Sequence, residues 1–223
     1  MTLRLDWAGH DAATYACRQW HYSRAVPAGR LIVIGVWENE AFKGVVIFSR
    51  GATPRIGSPY GLTQLEVCEL TRIALREHEA PVSRIVAIAL RMLRNRCPGM
   101  RLVISYAAGE QGHHGGVYQA GGWIYEGAKE TYAIEVRGER RHGRSVGSRY
   151  GRHDIEWLRE NVDPAAKAVR GLVRHKYLMP LDDKMRSAVV PLAKPYPKRV
   201  KQAMAEHHSA QRPGSADPHA PNQ

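Results

Sequence analysis

Between Glu66 and Ala107 the chain carries an apolar run, a helix with one apolar face, and a second apolar run. The first run is "EVCELTRIAL"; the helix is "VSRIVAIALRMLRN", opened by Pro81; the second run, "RLVISYA", comes after a Pro-Gly turn. Their length and β-branched content read the two runs as strands. In the middle segment Ile85, Ile88, Ala89, Met92 and Leu93 fall on one helical face, and a proline suits the first turn of a helix. A one-sided helix sandwiched between two strands has to bury its stripe on a sheet. Upstream, "DAATYACRQW" places Ala13, Cys17 and Trp20 at helical spacing, "HYSRAVPAGR" ends that helix, and "LIVIGVWENEAFKGVVIFSR" reads as a hairpin turning at Glu38 to Ala41. Downstream come a short helix from about Gly115 to Gly121 and a strand at "GWIYEGAKE". The order predicts an α/β (α+β) fold, a central mixed sheet with helices on both faces.

At 223 residues and 43% hydrophobic content, one substantial core is the expectation. We place it in residues 1–136. Residues 137–206 read as a basic extension, an arginine-rich loop followed by short helices at "IEWLREN" and "PAAKAVRGLVRHKYL", packing on the core. Residues 207–223 are polar and proline-containing, so disorder is expected there. The chain has no run of eighteen apolar residues and no signal-peptide layout at its start, which points to a cytoplasmic protein with no membrane partner. Cys17, Cys68 and Cys97 are widely spaced and odd in number, which argues against a disulfide framework or a thiolate zinc site.

The formal net charge is +12. A charge of that size draws polyanions and favours nucleic acid over small acidic molecules. It concentrates in "ERRHGRSVGSRYGRHD", where Arg140, Arg141, Arg144, Arg149 and Arg152 are placed to track a DNA backbone; a solvated loop is the other reading.

The densest chemistry lies in "SYAAGEQGHHGGVYQAGGWIYEG", Ser105 to Gly127. Ser105, Tyr106, Glu110, His113 and His114 are candidate substrate-binding residues here, and a metal site, a phosphate-cradling turn and a substrate-gripping helix are all compatible with the pattern. Adjacent histidines point in different directions on most backbones, so one facing substrate and one packed or solvated is the simpler arrangement. The helix between the two strands stands where an acetyltransferase-like (GNAT) fold would bind a pantetheine pyrophosphate on its N-terminus. The turn there reads "REHEAPVSR", with Arg76 and Arg84 but without the glycines that let backbone N–H groups approach a phosphate. "GGVYQAGGWIYEG" has the pattern of the last helix and strand of that fold, with Tyr118 in the place of an aromatic general acid; a tyrosine packed in the core is the alternative.

Taken in order, "HYSR", "GVWENEAFKGVVIFSRGA", "CELTRIALREH", "VSRIVAIALRML", "RLVISYA", "QGHHGGVYQAGGWIYEG", "HKYLMPLD" and "PYPKR" resemble the Mom family of DNA-modification proteins of Mu-like phages, over Trp20 to Arg199. The resemblance implies a GNAT-like enzyme, acting in the host cytoplasm, that converts adenine in double-stranded DNA to its carbamoylmethyl derivative and shields the DNA from restriction. It implies catalytic roles for Tyr22, Arg72 and Tyr118. The donor would be an activated acyl group, glycyl-tRNA or acetyl-CoA-like, with tRNA a second nucleic-acid partner, and the family raises an iron site. His21 and Tyr22, with Ser23 in the same word, would hold the base, and Arg72 a phosphate or developing oxyanion. The target amine lies inside the stack, so aromatics such as Tyr22, Trp37 or Tyr60 would grip an extruded base. Where the family shows aspartate ("SYAD"), this chain has Ala108, which reads as an inactivating substitution, or, if native, as a position for which Glu110 stands in. A conventional N-acetyltransferase and a non-catalytic DNA-binding protein stay open as alternatives, as does a homodimer.

Overall fold

The computed structural model describes residues 2–51, 53–109 and 114–198. In chain order the elements are β1 (Leu3–Trp7), α1 (His10–Trp20), β2 (Leu31–Glu38), β3 (Ala41–Ser49), β4 (Val67–Leu75), α2 (Val82–Arg96), β5 (Leu102–Ala108), α3 (Gly116–Ala120), β6 (Ile124–Val136), β7 (Glu139–His142), α4 (Gly143–Tyr150), α5 (Ile155–Asn161), β8 (Lys167–Pro180) and α6 (Asp183–Val189). The described strands form one eight-stranded sheet in the order β1-β2-β3-β4-β5-β8-β6-β7. Among the described residues its pairs are antiparallel except β4 with β5, which run parallel because α2 carries the chain back between them. No described helix is long and apolar enough to cross a membrane.

Strand alternation sorts the core onto the two faces of the sheet. On one face α2 lays Ile85, Ala89 and Leu93 against Val46, Phe48 and Val103. On the other, α1 sets Ala13, Ala16 and Cys17 against Val33, Ile47 and Ala74. The remaining half of that face is covered by Met185 and Val189 of α6 and by Ile56 and Leu62, over Leu102, Ile104 and Leu178. Each fully buried Leu or Ile contributes roughly 1.5–3 kcal/mol, so both faces are strongly held.

Two irregularities in β4 break the regular sheet. Its register against β3 passes from Ile47↔Arg72 to Phe48↔Leu70, so Thr71 is an extra, bulged residue. Cys68 and Leu70 face α2, and beyond the bulge Ile73 and Leu75 do so again, while Arg72 and Ala74 turn toward α1. The ladder to β5 covers only Val67–Leu70 with Leu102–Ser105, although β4 continues to Leu75 and β5 to Ala108. Past that point the two parallel strands part.

Sequence expectation and structure differ in three places. β1 was not foreseen. The stretch "PAAKAVRGLVRHKYL", expected as helix, supplies most of β8, which lies between β5 and β6, so the sheet does not end at residue 136. Its Ala, Lys and Arg are good helix formers locally, but Tyr177 and Leu178 are both fully buried, on opposite faces of the sheet, and only a pleated strand buries consecutive residues that way. The arginine-rich loop is instead β7 followed by α4, tied down by Val146, Leu158 and Ala166 against Ile134 and Val136. The expected disordered tail lies outside the described residues.

Candidate active site

Where β4 and β5 part, a cavity of about 650 Å³ opens between them. Arg72 and Tyr106 reach it from the α1 face, Ile73, Leu75 and Tyr118 from the α2 face, so the opening joins both sides of the sheet. In sheets with a parallel crossover, ligands characteristically bind at the carboxyl ends of the strands where the order turns, which is the position of this cavity. The C-terminal end of α1 contributes Trp20, His21 and Tyr22, and α3 with its approach contributes His114, Gly115 and Gly116. Tyr22, Arg72 and Tyr118, expected catalytic residues from three separate stretches, therefore line one cavity, together with the expected Ala108, His21, Tyr106 and His114.

Tyr118 is held by a short relay. Ser105 Oγ, fully buried, donates to the Leu70 carbonyl at 2.8 Å, which uses its only proton, so the Tyr118 hydroxyl donates to Ser105 Oγ at 2.7 Å. Burial pushes the Tyr118 phenol up to about 12, with the Ser105 contact opposing and Tyr22, Glu69 and Tyr177 adding to the rise. The group keeps its proton at neutral pH and is chemically a donor. Burial pushes Tyr106 up to about 12 as well.

The entry to α3 is clamped. The His114 carbonyl accepts from the Tyr177 hydroxyl at 2.5 Å and from Gln119 Nε2 at 3.1 Å. Gly115 comes next with φ +83°, and a Cβ there would stand 2.3 Å from Tyr177 Cε2, so the turn requires glycine both for its backbone and for its space.

Two histidines on the wall have assigned tautomers. His21 Nδ1 accepts from the Ser23 N–H at 3.1 Å, with Ser23 Oγ 2.8 Å away, so the neutral ring carries its proton on Nε2. His78, which sequence reasoning missed, donates from Nδ1 to the Ala80 carbonyl at 2.8 Å and turns its Nε2 edge to other partners. Arg72 Nη1 donates to the Thr71 carbonyl at 2.7 Å, while its Nε is buried without a hydrogen-bond partner among the described residues. The same is true of Arg174 Nε, on the residue directly opposite Ala108 in the β5/β8 ladder. A guanidinium with an unspent buried N–H is suited to an anionic oxygen.

At the head of α2 sits a second residue that sequence reasoning missed. Glu38, 2% exposed, accepts from the Glu79 N–H at 2.9 and 3.2 Å and from the Ala80 N–H at 2.7 Å, with Lys43 Nζ 4.0 Å away. Burial pushes its carboxyl upward, but those N–H groups, with Lys43 and His78, outweigh it and hold the pKa below the ordinary carboxylate value. Its signal in the sequence was a lone acid closing an apolar strand.

Other expected residues fall elsewhere. Ser105 and Ser23 support Tyr118 and His21 from behind the wall. Trp37 packs on Phe42 under Arg4, and the Tyr60 hydroxyl donates to Glu126 at 2.7 Å, so neither faces the cavity and the base-gripping role expected of them is withdrawn. Trp20 and Tyr106 are the aromatics that join Tyr22 and Tyr118 there. Arg140, Arg141, Arg149 and Arg152 lie on β7, α4 and the residues just after it, outside the cavity wall; the first three pair with Glu135 or Glu139, and Arg152 stacks over Trp157. Arg144 is on α4, its side chain outside the described residues, as are Glu110 and His113 entirely. Among the described residues no group of three His, Cys, Asp or Glu could hold a metal ion. The described wall carries His21, His78 and His114 but no such group, with Glu110 and His113 outside the described residues, and no chemical step is assigned to iron.

Comparison with known proteins agrees with the sequence words. Methylcarbamoylase mom of Escherichia phage Mu is 27% identical over 205 residues, covering 88% of this chain and 84% of that protein. Among solved structures, a Bacillus subtilis acetyltransferase in complex with CoA aligns at 13% identity over 81% of this chain and 100% of its own, TM-score 0.45. A candidate phosphinothricin N-acetyltransferase aligns at 15% over 82% and 100%, TM-score 0.47. These structural likenesses are distant; the strand order and flanking helices show the expected α/β class, a mixed sheet flanked by helices. The family profile of the Mom protein family matches residues 2–198, and the chain belongs to that family.

Proposed function

We propose that this chain is a phage-type DNA-modifying transferase that carbamoylmethylates the exocyclic amine of adenine, using an activated glycyl group as donor. The observation that carries the reading is the convergence of Tyr22, Arg72 and Tyr118 on one cavity, of a volume usual for small-molecule sites. Family membership, the name of the phage Mu relative and the net charge of +12 support it.

The added group has the atoms of a glycyl group, which suggests a two-step route. The adenine amine attacks the glycyl ester carbonyl, the C–O bond to the carrier ribose breaks, and the ribose oxygen takes a proton. The free glycine amine then attacks the ring carbon, that C–N bond forms, and the original ring-carbon bond to the amide nitrogen breaks, leaving a terminal carboxamide. In this scheme Tyr118, protonated at neutral pH, turns its hydroxyl from Ser105 Oγ to donate to the leaving oxygen, and Ser105 turns its own proton from the Leu70 carbonyl to the phenolate left behind. Arg72, with its unspent Nε, stabilises the oxyanion. Tyr22 and Trp20 stack on the extruded base and His21 Nε2 donates to it. Ala108 stands where a carboxylate would take the amine proton, so the chain as it stands is expected to be slow.

The test is incubation of duplex DNA with the purified chain and either charged glycyl-tRNA or acetyl-CoA, followed by digestion and mass spectrometry of the nucleosides. Carbamoylmethyladenine formed from glycyl-tRNA, more abundantly with Ala108→Asp, is the expected product. Unmodified adenine with glycyl-tRNA alongside product from acetyl-CoA would reject the scheme.

A further inference from the structure

The loop from Glu77 to Pro81 carries the chain from β4 to the head of α2, at the end of the cavity lined by Leu75, His78 and Val82. A phosphate entering there needs backbone N–H groups, which the first turn of a helix and the residues before it ordinarily offer. Here four of those N–H groups are already engaged. The N–H groups of Glu79 and Ala80 are both given to the buried Glu38 carboxylate. Pro81 has no N–H, and those of Arg84 and Ile85 return to the Pro81 carbonyl. Lys43, the cation in contact, also donates to the Glu77 carbonyl at 3.0 Å. A phosphate would have to displace an internal carboxylate that is chemically its equivalent, and would meet a like charge in doing so.

We propose that Glu38 is a built-in anion that fills the phosphate-binding position at the head of α2, so that the cavity refuses carriers anchored by a pyrophosphate, coenzyme A first among them. The carrier of the acyl group is then gripped away from this end, which deepens the transferase reading by restricting its donor class; the exclusion itself stands without that reading. Glu38 is a specificity determinant and touches neither substrate.

The experiment is calorimetric titration of the full chain with coenzyme A and, separately, with inorganic pyrophosphate. Wild type is expected to show no saturation up to about 1 mM, the weak end of specific binding. Glu38→Ala, which frees two N–H groups and removes the charge, is expected to gain at least tenfold in affinity for both probes; Glu38→Gln, which keeps volume and one acceptor oxygen, gains less. Micromolar binding of coenzyme A by wild type overturns the proposal. So does a folded Glu38→Ala that gains nothing, since the exclusion would then lie elsewhere. If neither variant folds, amide exchange of Glu79 and Ala80 in wild type decides: protection unchanged by pyrophosphate supports the assignment, and a change overturns it. Should wild type fail to modify adenine from any donor while Glu38→Ala gains pyrophosphate, the functional reading falls and this one stands.

Discussion

Replacing Ala108 by aspartate tests the site at its most informative point. Ala108 is 6% exposed and directly opposite Arg174, and residues facing each other across an antiparallel pair project to the same side, about 4.5–5.5 Å apart. Arg174 Nε is buried without a hydrogen-bond partner among the described residues. A carboxylate at 108 would meet it, gaining a charge-assisted hydrogen bond of about 1.5–3 kcal/mol. Burying the new charge costs several kcal/mol, but the guanidinium already present supplies the compensating charge. The net change in stability for Ala108→Asp is therefore expected within about 1–2 kcal/mol of zero, whereas Arg174→Ala should cost little in the wild-type background and about 3–5 kcal/mol once the aspartate is present. Urea unfolding of the two single variants and the double variant measures the difference. A coupling below about 0.5 kcal/mol, the additivity limit for independent sites, would refute the pairing and with it the view that Arg174 is waiting for a carboxylate. Nucleoside mass spectrometry on the same proteins asks whether the pair restores modification.

Tyr118→Phe is expected to lower the modification rate by about 10²–10⁴-fold while costing only about 1 kcal/mol in stability and leaving DNA affinity within twofold; a rate within threefold of wild type removes it from the chemistry. Because its proton is held up to about 12, the wild-type rate should show no alkaline loss from this group between pH 7 and 10. Gly115→Ala combines a strained φ of +83° with a 2.3 Å approach to Tyr177 and should destabilise by roughly 2–5 kcal/mol in urea unfolding. Removing Arg140, Arg141, Arg149 and Arg152 together should flatten the dependence of log K for DNA on log salt by about 3 to 4 units if all four contact phosphate, measured by fluorescence anisotropy. Glu38 has a folded pKa below its unfolded value of 4.5, so its contribution is present above that value and lost as pH falls through the folded pKa. Acid unfolding of Glu38→Gln should lack that segment of the wild-type curve.

How much could be read in advance depended on whether the signal was local. The strand, helix and strand around Pro81 announced themselves because Ile85, Ala89 and Leu93 repeat on one face, and a stripe is a property of contiguous residues. β8 did not, since its Ala, Lys and Arg speak for helix until β5 and β6 close on both sides of it. Within the site, Tyr22, Arg72 and Tyr118 were legible from family-like words, but the bulge at Thr71 that turns Arg72 toward the α1 side is a register event between strands and leaves no trace in composition. The acid closing β2 was visible, but not its role: the partners of Glu38 are 41 and 42 residues away and are backbone groups, which carry no sequence identity. His78 was hidden likewise, its role set by a carbonyl two residues on.

The cavity between β4 and β5 takes its lining from both faces of the sheet, Arg72 and Tyr106 from the α1 side and Ile73, Leu75 and Tyr118 from the α2 side. If donor and acceptor both reach it, each can be held by a different face, neither having to leave before the other arrives. Cys17, Cys68 and Cys97 are all off that wall, so among the described residues it offers no thiol on which the travelling group could be parked. Kinetics of this chain should accordingly show a ternary-complex pattern, with intersecting lines in double-reciprocal plots, and transfer should proceed straight from carrier to acceptor.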